Sequence, residues 1–98
     1  MTPSIIADET LSDGTRNITA MTSGVCSQMI MVSLKGDTVL NVQYLGGCHG
    51  NTQGISQLCR GMKAQDIRER LQGIRCGSKS TSCPDQLAQI LEIISKEA

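Results

Sequence analysis

Aromatic side chains are nearly missing from this 98-residue chain: it has no Phe and no Trp, and Tyr44 stands alone. Base stacking on aromatic platforms is therefore a poor basis for its function. Excess charge of either sign is missing too. Nine basic and nine acidic residues cancel, which argues against a nucleic-acid module held by phosphate neutralisation. No apolar run approaches the roughly 18 residues that argue for a membrane span, so no membrane partner is expected. No basic residue precedes the short apolar pair in the opening MTPSIIADETLS, so a secretory signal is not expected and a cytoplasmic setting is. Nucleotide-binding signatures are absent as well. Gly46, Gly47, Gly50 and Gly54 fit neither Gly-rich nucleotide pattern, and no Lys-Ser/Thr pair follows them. Tight turning and close backbone approach explain these glycines better.

What is present is a single domain's worth of chain with 39% apolar residues. A chain this size buries roughly 65% of its unfolded surface, so the core is modest. Built from Ile, Leu, Val and Met without large rings, it invites some further staple.

Five cysteines, Cys26, Cys48, Cys59, Cys76 and Cys83, are a heavy load for an intracellular chain. Their number is odd, and a reducing compartment keeps thiols open, so a disulfide framework is disfavoured. No pair has Cys-x-x-Cys spacing, so spacing alone does not make a zinc ribbon. Metal ligands, reactive thiols and small buried hydrophobes remain as readings.

The periodicity predicts an α+β fold. Residues 1–22 are polar and form an N-terminal extension, either loose or a short hairpin turning at Ser12-Asp13-Gly14-Thr15. Residues 28–34 (QMIMVSL) and 38–45 (TVLNVQYL) read as a central antiparallel hairpin around Lys35-Gly36-Asp37. In the second strand Leu40, Val42 and Tyr44 form the apolar face. The period then changes to that of helices, expected at about 50–60, 64–72 and 84–96. Ile55, Leu58, Cys59 and Met62 make the first stripe. Ala64, Ile67, Leu71 and Ile74 make the second, with Asp66, Arg68, Glu69 and Arg70 facing water. Leu87, Ile90, Leu91 and Ile94 make the third. Pro84 suits the first position of the last helix, and Asp85 suits its positive end.

Four cysteines fall at junctions on this map. Cys26 precedes the hairpin, Cys48 lies at the strand-to-helix turn, Cys76 lies in a Gly-Ser-Lys-Ser loop, and Cys83 is expected to cap the last helix. Junctions gather at one end of a two-layer domain, so these four are expected to converge. Unpaired N–H groups at a helix start also favour a thiolate. Four such sulfurs suffice for a tetrahedral zinc site or an iron–sulfur cluster. Cys59 instead sits on an apolar stripe and is expected in the core. His49, beside Cys48, reads as a solvated turn residue before it reads as a ligand.

Cys76-Gly77, Thr81-Ser82-Cys83-Pro84-Asp85 and Gln86-Leu87-Ala88 together resemble the TSCPD-domain family, named for that pentapeptide. Gly24-Val25-Cys26-Ser27, Gly46-Gly47-Cys48, Gly50-Asn51 and Gln53-Gly54-Ile55-Ser56 fit its small stand-alone, four-cysteine members. The likeness covers about residues 24–95, so the TSCPD-like domain is expected over 23–98. It implies a domain similar to the C-terminal end of adenosylcobalamin-dependent ribonucleotide reductases, an association that gives stand-alone members the label ribonucleoside-diphosphate reductase. It also implies a metal on Cys26, Cys48, Cys76 and Cys83, zinc first and an iron–sulfur cluster as the alternative. The implied partner is a protein, a ribonucleotide reductase or another redox protein; a homo-oligomer is also compatible. One 98-residue chain cannot itself enclose a radical-generating thiol, reducing thiols, a cofactor site and a nucleotide pocket, so an accessory role is expected. The element order is also similar to U-type iron–sulfur scaffold proteins, with Cys26, Cys48 and Cys83 at the three cysteine positions. Ser82 stands where many of those scaffolds have a histidine, which weakens a scaffold function. A thiol-redox or iron–sulfur protein is the second expectation.

Overall fold

A computed structural model describes residues 1–47 and 49–96. Four strands come first: β1 Ser4–Thr10, β2 Thr15–Met21, β3 Ser27–Lys35 and β4 Thr38–Gly46. They form one antiparallel sheet in the order β1-β2-β3-β4. Three helices follow: α1 His49–Cys59, α2 Ala64–Leu71 and α3 Cys83–Ser95. The architecture is α+β, as the change of period predicts. None of these helices is long and apolar enough to cross a membrane.

Each turn has a local cause. Gly36 (φ +61°) opens a two-residue link between β3 and β4, where a side chain would be strained. Asp13 accepts the Thr15 N–H at 2.9 Å and sets the β1–β2 turn. That first hairpin joins the sheet through β2, with Ile18 opposite Val32 and Ala20 opposite Ile30.

The core lies between one sheet face and the helices. Ile18, Ala20, Ile30, Val32 and Val42 come from the sheet, and Leu87, Ile90, Leu91 and Ile94 from α3. Helix α2 adds Ile67 and lies against α3, while α1 lies along β4. Beyond α1 the chain pairs with the start of β4: the Val39 N–H donates to the Met62 carbonyl at 2.8 Å, and the Gly61 N–H to the Val39 carbonyl at 2.8 Å. This covers part of a sheet edge.

Four expectations need correction. The register shifts between Ser33 and Leu34, so Leu34 faces Val39. That bulge turns Val39 inward (0% exposed) and Leu40 outward (42%). Leu58 is also off the buried stripe, at 76% exposed, and Thr52 joins Cys59 among the buried residues of α1. In α2, Arg68 is half-buried and its Nη1 donates to Ser95 Oγ at 3.3 Å. That helix also stops at Leu71, leaving Ile74 in the following loop, 39% exposed.

Truncations should separate the two kinds of apolar position. Ile30→Ala should cost about 3 kcal/mol, the usual loss when a fully buried Ile becomes Ala. Leu58→Ala should stay within about 0.5 kcal/mol, as exposed substitutions do. Urea-unfolding midpoints at constant slope measure both.

Candidate metal centre

The first turn of α3 organises the end of the molecule where the cysteine-bearing loops lie. Ser82, not Cys83, is the N-cap: its Oγ accepts the Asp85 N–H at 3.1 Å and donates to the Ile74 carbonyl at 2.7 Å. Cys83 is thereby the first helical residue. Its carbonyl accepts the Tyr44 hydroxyl at 3.1 Å. Burial, with lesser repulsion from the Cys83 and Cys59 sulfurs, pushes the Tyr44 phenol far up, so the hydroxyl keeps its proton and stays a donor.

Asp85 and Gln86 are both buried and face inward. Asp85 accepts the Gly73 N–H at 2.7 Å, the Thr81 hydroxyl at 2.5 Å and Gln89 Nε2 at 2.8 Å. The Gln86 carboxamide accepts the Ser23 N–H at 3.0 Å and donates to Thr81 Oγ1 at 3.0 Å and the Met1 carbonyl at 3.2 Å. Gly73 lies three residues before Cys76, and Ser23 three before Cys26. One helical turn thus anchors both loops. Cys76 is held further where its N–H donates to the Thr81 carbonyl at 3.2 Å and its carbonyl accepts the Lys79 N–H at 3.0 Å.

These ties bring Cys26 Sγ to 3.9 Å from Cys83 Sγ. Cys26, Cys76 and Cys83 border one cavity of about 290 Å³, shared with Asn51, Thr52 and Ile55. Cys26 and Cys76 are exposed there and Cys83 is half-buried. Ser27 Oγ lies 3.2 Å from Cys83 Sγ. Cys48 lies outside the described residues, as does the His49 side chain. The residue before Cys48, Gly47, has φ +88°, and a Cβ there would lie 3.2 Å from Ser27 Cβ. Glycine is needed both for that conformation and for that approach.

Sulfurs about 2.3 Å from a tetrahedral zinc are about 3.8 Å from one another. The Cys26–Cys83 separation fits one such edge. Among the described residues, no set of three or more His, Cys, Asp or Glu side chains stands ready to hold a metal ion. Cys76 therefore contributes a sulfur at the cavity wall and not a third ligand already in place. Cys59 is elsewhere: it is 3% exposed in the core, and burial pushes its thiol up.

The TSCPD domain model matches residues 9–95. The chain belongs to the TSCPD-domain family. No curated protein and no solved structure matches it significantly. The family match begins within β1 and so takes in most of the first hairpin, which the sequence likeness from residue 24 leaves out. In this TSCPD domain the signature pentapeptide is largely a scaffold. Thr81, Ser82 and Asp85 hold the loops, and Cys83 alone offers a sulfur. Reasoning from sequence overlooks Ser27, Tyr44 and Gln86. A Gln on a helix normally reads as solvated, and only the inward side of the first turn marks this one as buried.

Asp85 ties this network to pH. Burial pushes its carboxyl up, but hydrogen bonds from Thr81, Gly73 and Gln89 outweigh that and hold it below the usual carboxylate range. The unfolded chain then binds this proton more readily than the folded one. The stability from Asp85 is complete above its unfolded pKa and is lost as pH falls through the lower folded value. Asp85→Asn should cost about 2 kcal/mol at neutral pH, the range for hydrogen bonds to a charged group. The variant should also lose part of the acid dependence below about pH 4. Urea titrations from neutral pH down to about pH 3 measure both effects.

Proposed function

We propose that this chain is a small metal-binding accessory module in which Cys26, Cys48, Cys76 and Cys83 hold one zinc ion as thiolates. The observation that carries the reading is the meeting of cysteine-bearing loops at one cavity, with two sulfurs a tetrahedral edge apart. The fourth ligand in this reading, Cys48, is joined directly to Gly47, which packs on Ser27 beside Cys26. Closed thiolate coordination supplies cross-linking between loops and shields the thiols from oxidants; it supplies no open position for catalysis. Binding would draw the exposed Cys76 inward. We propose further that the module acts in the cytoplasm on a protein partner, a ribonucleotide reductase or a related redox protein. Family likeness supports that part.

The Cys26–Cys83 pair also favours a second reading, a reversible dithiol. The two sulfurs lie 3.9 Å apart, and a two-electron oxidant such as a partner disulfide, taking up both thiol protons and the electron pair, would join them at about 2.05 Å; with a further cysteine the same cavity would suit an iron–sulfur cluster.

Metal analysis of the protein purified without added metal separates these readings. The zinc reading expects about one zinc per chain, thiols at the site shielded from alkylation, and loss of most of the metal in Cys26→Ser and Cys83→Ser. Cys59→Ala should retain the metal, because that sulfur lies in the core. A folded, metal-free protein with Cys26, Cys48, Cys76 and Cys83 open to alkylation would falsify the zinc reading. Brown colour after anaerobic purification, or a Cys26–Cys83 disulfide found by mass spectrometry, would favour the second.

A further inference from the structure

We propose that the Ser27 hydroxyl donates a hydrogen bond to the Cys83 sulfur and so sets how tightly the centre holds its metal; this rests on the metal-binding reading above. The observation beneath it is a second β-bulge. Ser27 pairs with Gly46 while Met29 pairs with Leu45, so β3 carries one extra residue, Gln28, at its start. Regular alternation from Ile30, whose side chain is in the core, would put Gln28 inward and Ser27 outward. The bulge reverses this: Gln28 is exposed, and Ser27 is buried at 3% exposure. Bulges re-aim side chains near functional sites, and the one at Gln28 turns a hydroxyl onto a sulfur 3.2 Å away.

The placement is fixed from several sides. The Thr22 hydroxyl donates to the Ser27 carbonyl at 2.5 Å. Gly47 packs on the Ser27 backbone so closely that a Cβ there would lie 3.3 Å from Ser27 Cα and N. The Ser23 N–H is held by buried Gln86.

Chemistry then decides which group is the donor. Between a hydroxyl and a thiol, either can donate. A metal-bound Cys83 has no proton left, so Ser27 must supply it. Such a bond lowers the energy of the sulfur lone pair and orients the ligand, the usual effect of partners beyond the metal's own ligands. The centre is therefore asymmetric. Half-buried Cys83, hydrogen-bonded and fixed in a helix, is the anchor, while exposed Cys26 and Cys76 are the ligands a competing chelator reaches first. Ser27 is a positioning residue and not itself a ligand.

Cobalt(II) loading of the full chain tests this, because the sulfur-to-cobalt charge-transfer band reports the lone-pair energy. Ser27→Ala keeps the Cβ on which Gly47 packs, and far-ultraviolet circular dichroism checks its fold. Relative to wild type, its band should move to longer wavelength. Its cobalt affinity, measured by competition with a chromophoric chelator, should fall about tenfold. Ser33→Ala removes a hydrogen bond from the same strand, to Asn17 at 2.6 Å, and should change neither reading. An unmoved band and unchanged affinity in Ser27→Ala overturn the role of Ser27 and leave the metal-binding reading standing. A wild-type chain that shows no charge-transfer band overturns both.

Discussion

The buried carboxamide of Gln86 reaches from the first turn of α3 to the loop before β3 and to Thr81, while the neighbouring Asp85 carboxylate takes the Gly73 N–H from the loop after α2. Both side chains are nearly sealed from water. A buried amide or carboxylate left without partners costs several kcal/mol, so this turn has few alternatives to the arrangement seen. The arrangement, in turn, decides where Cys26, Cys76 and Cys83 stand. The pentapeptide Thr81–Asp85 is thus less a set of ligands than a clamp around one sulfur.

That clamp operates against a thin core. Residues from β2, β3 and β4 meet α3 and Ile67 across one sheet face, and no aromatic ring joins the fully buried set. Edge strand β1 is exposed along most of its length and is tied to β2 by the Asp8–Arg16 ion pair, at 2.5 Å, as well as by its ladder. An exposed pair of this kind adds little. The stabilising weight therefore sits away from β1, where β2, β3 and β4 meet α3. Changes at the centre and changes in the core are coupled through α3, which belongs to both.

Much of this is legible in the sequence because it follows from periodicity. The stripe of α3 points to one buried face, and Cys59 goes to the core because it lies on such a stripe; in β3 the alternation groups Ile30, Val32 and Leu34, but Met29 and Met31 make the other face read as apolar too. Failure comes wherever one residue is added to a strand. Leu40 is as apolar as Val39, and only the bulge opposite Ser33 decides which is buried. The bulge at Gln28 is equally silent in sequence, and with it the inward turn of Ser27. Polar residues in the core are the other blind spot. Asp85 reads as a charge placed for the helix dipole, yet its partners are the Gly73 N–H, the Thr81 hydroxyl and Gln89. Those contacts bridge loops, and no local pattern reports them.

The same network bears on what a metal would do for folding. In a zinc finger the ligands come together only when metal binds, so binding and folding are one event. Here protein–protein hydrogen bonds hold Ser23, Gly73 and Thr81 on α3, and Cys26 Sγ lies 3.9 Å from Cys83 Sγ. A metal added to such a frame stabilises it by mass action, in proportion to the logarithm of its free concentration over its dissociation constant.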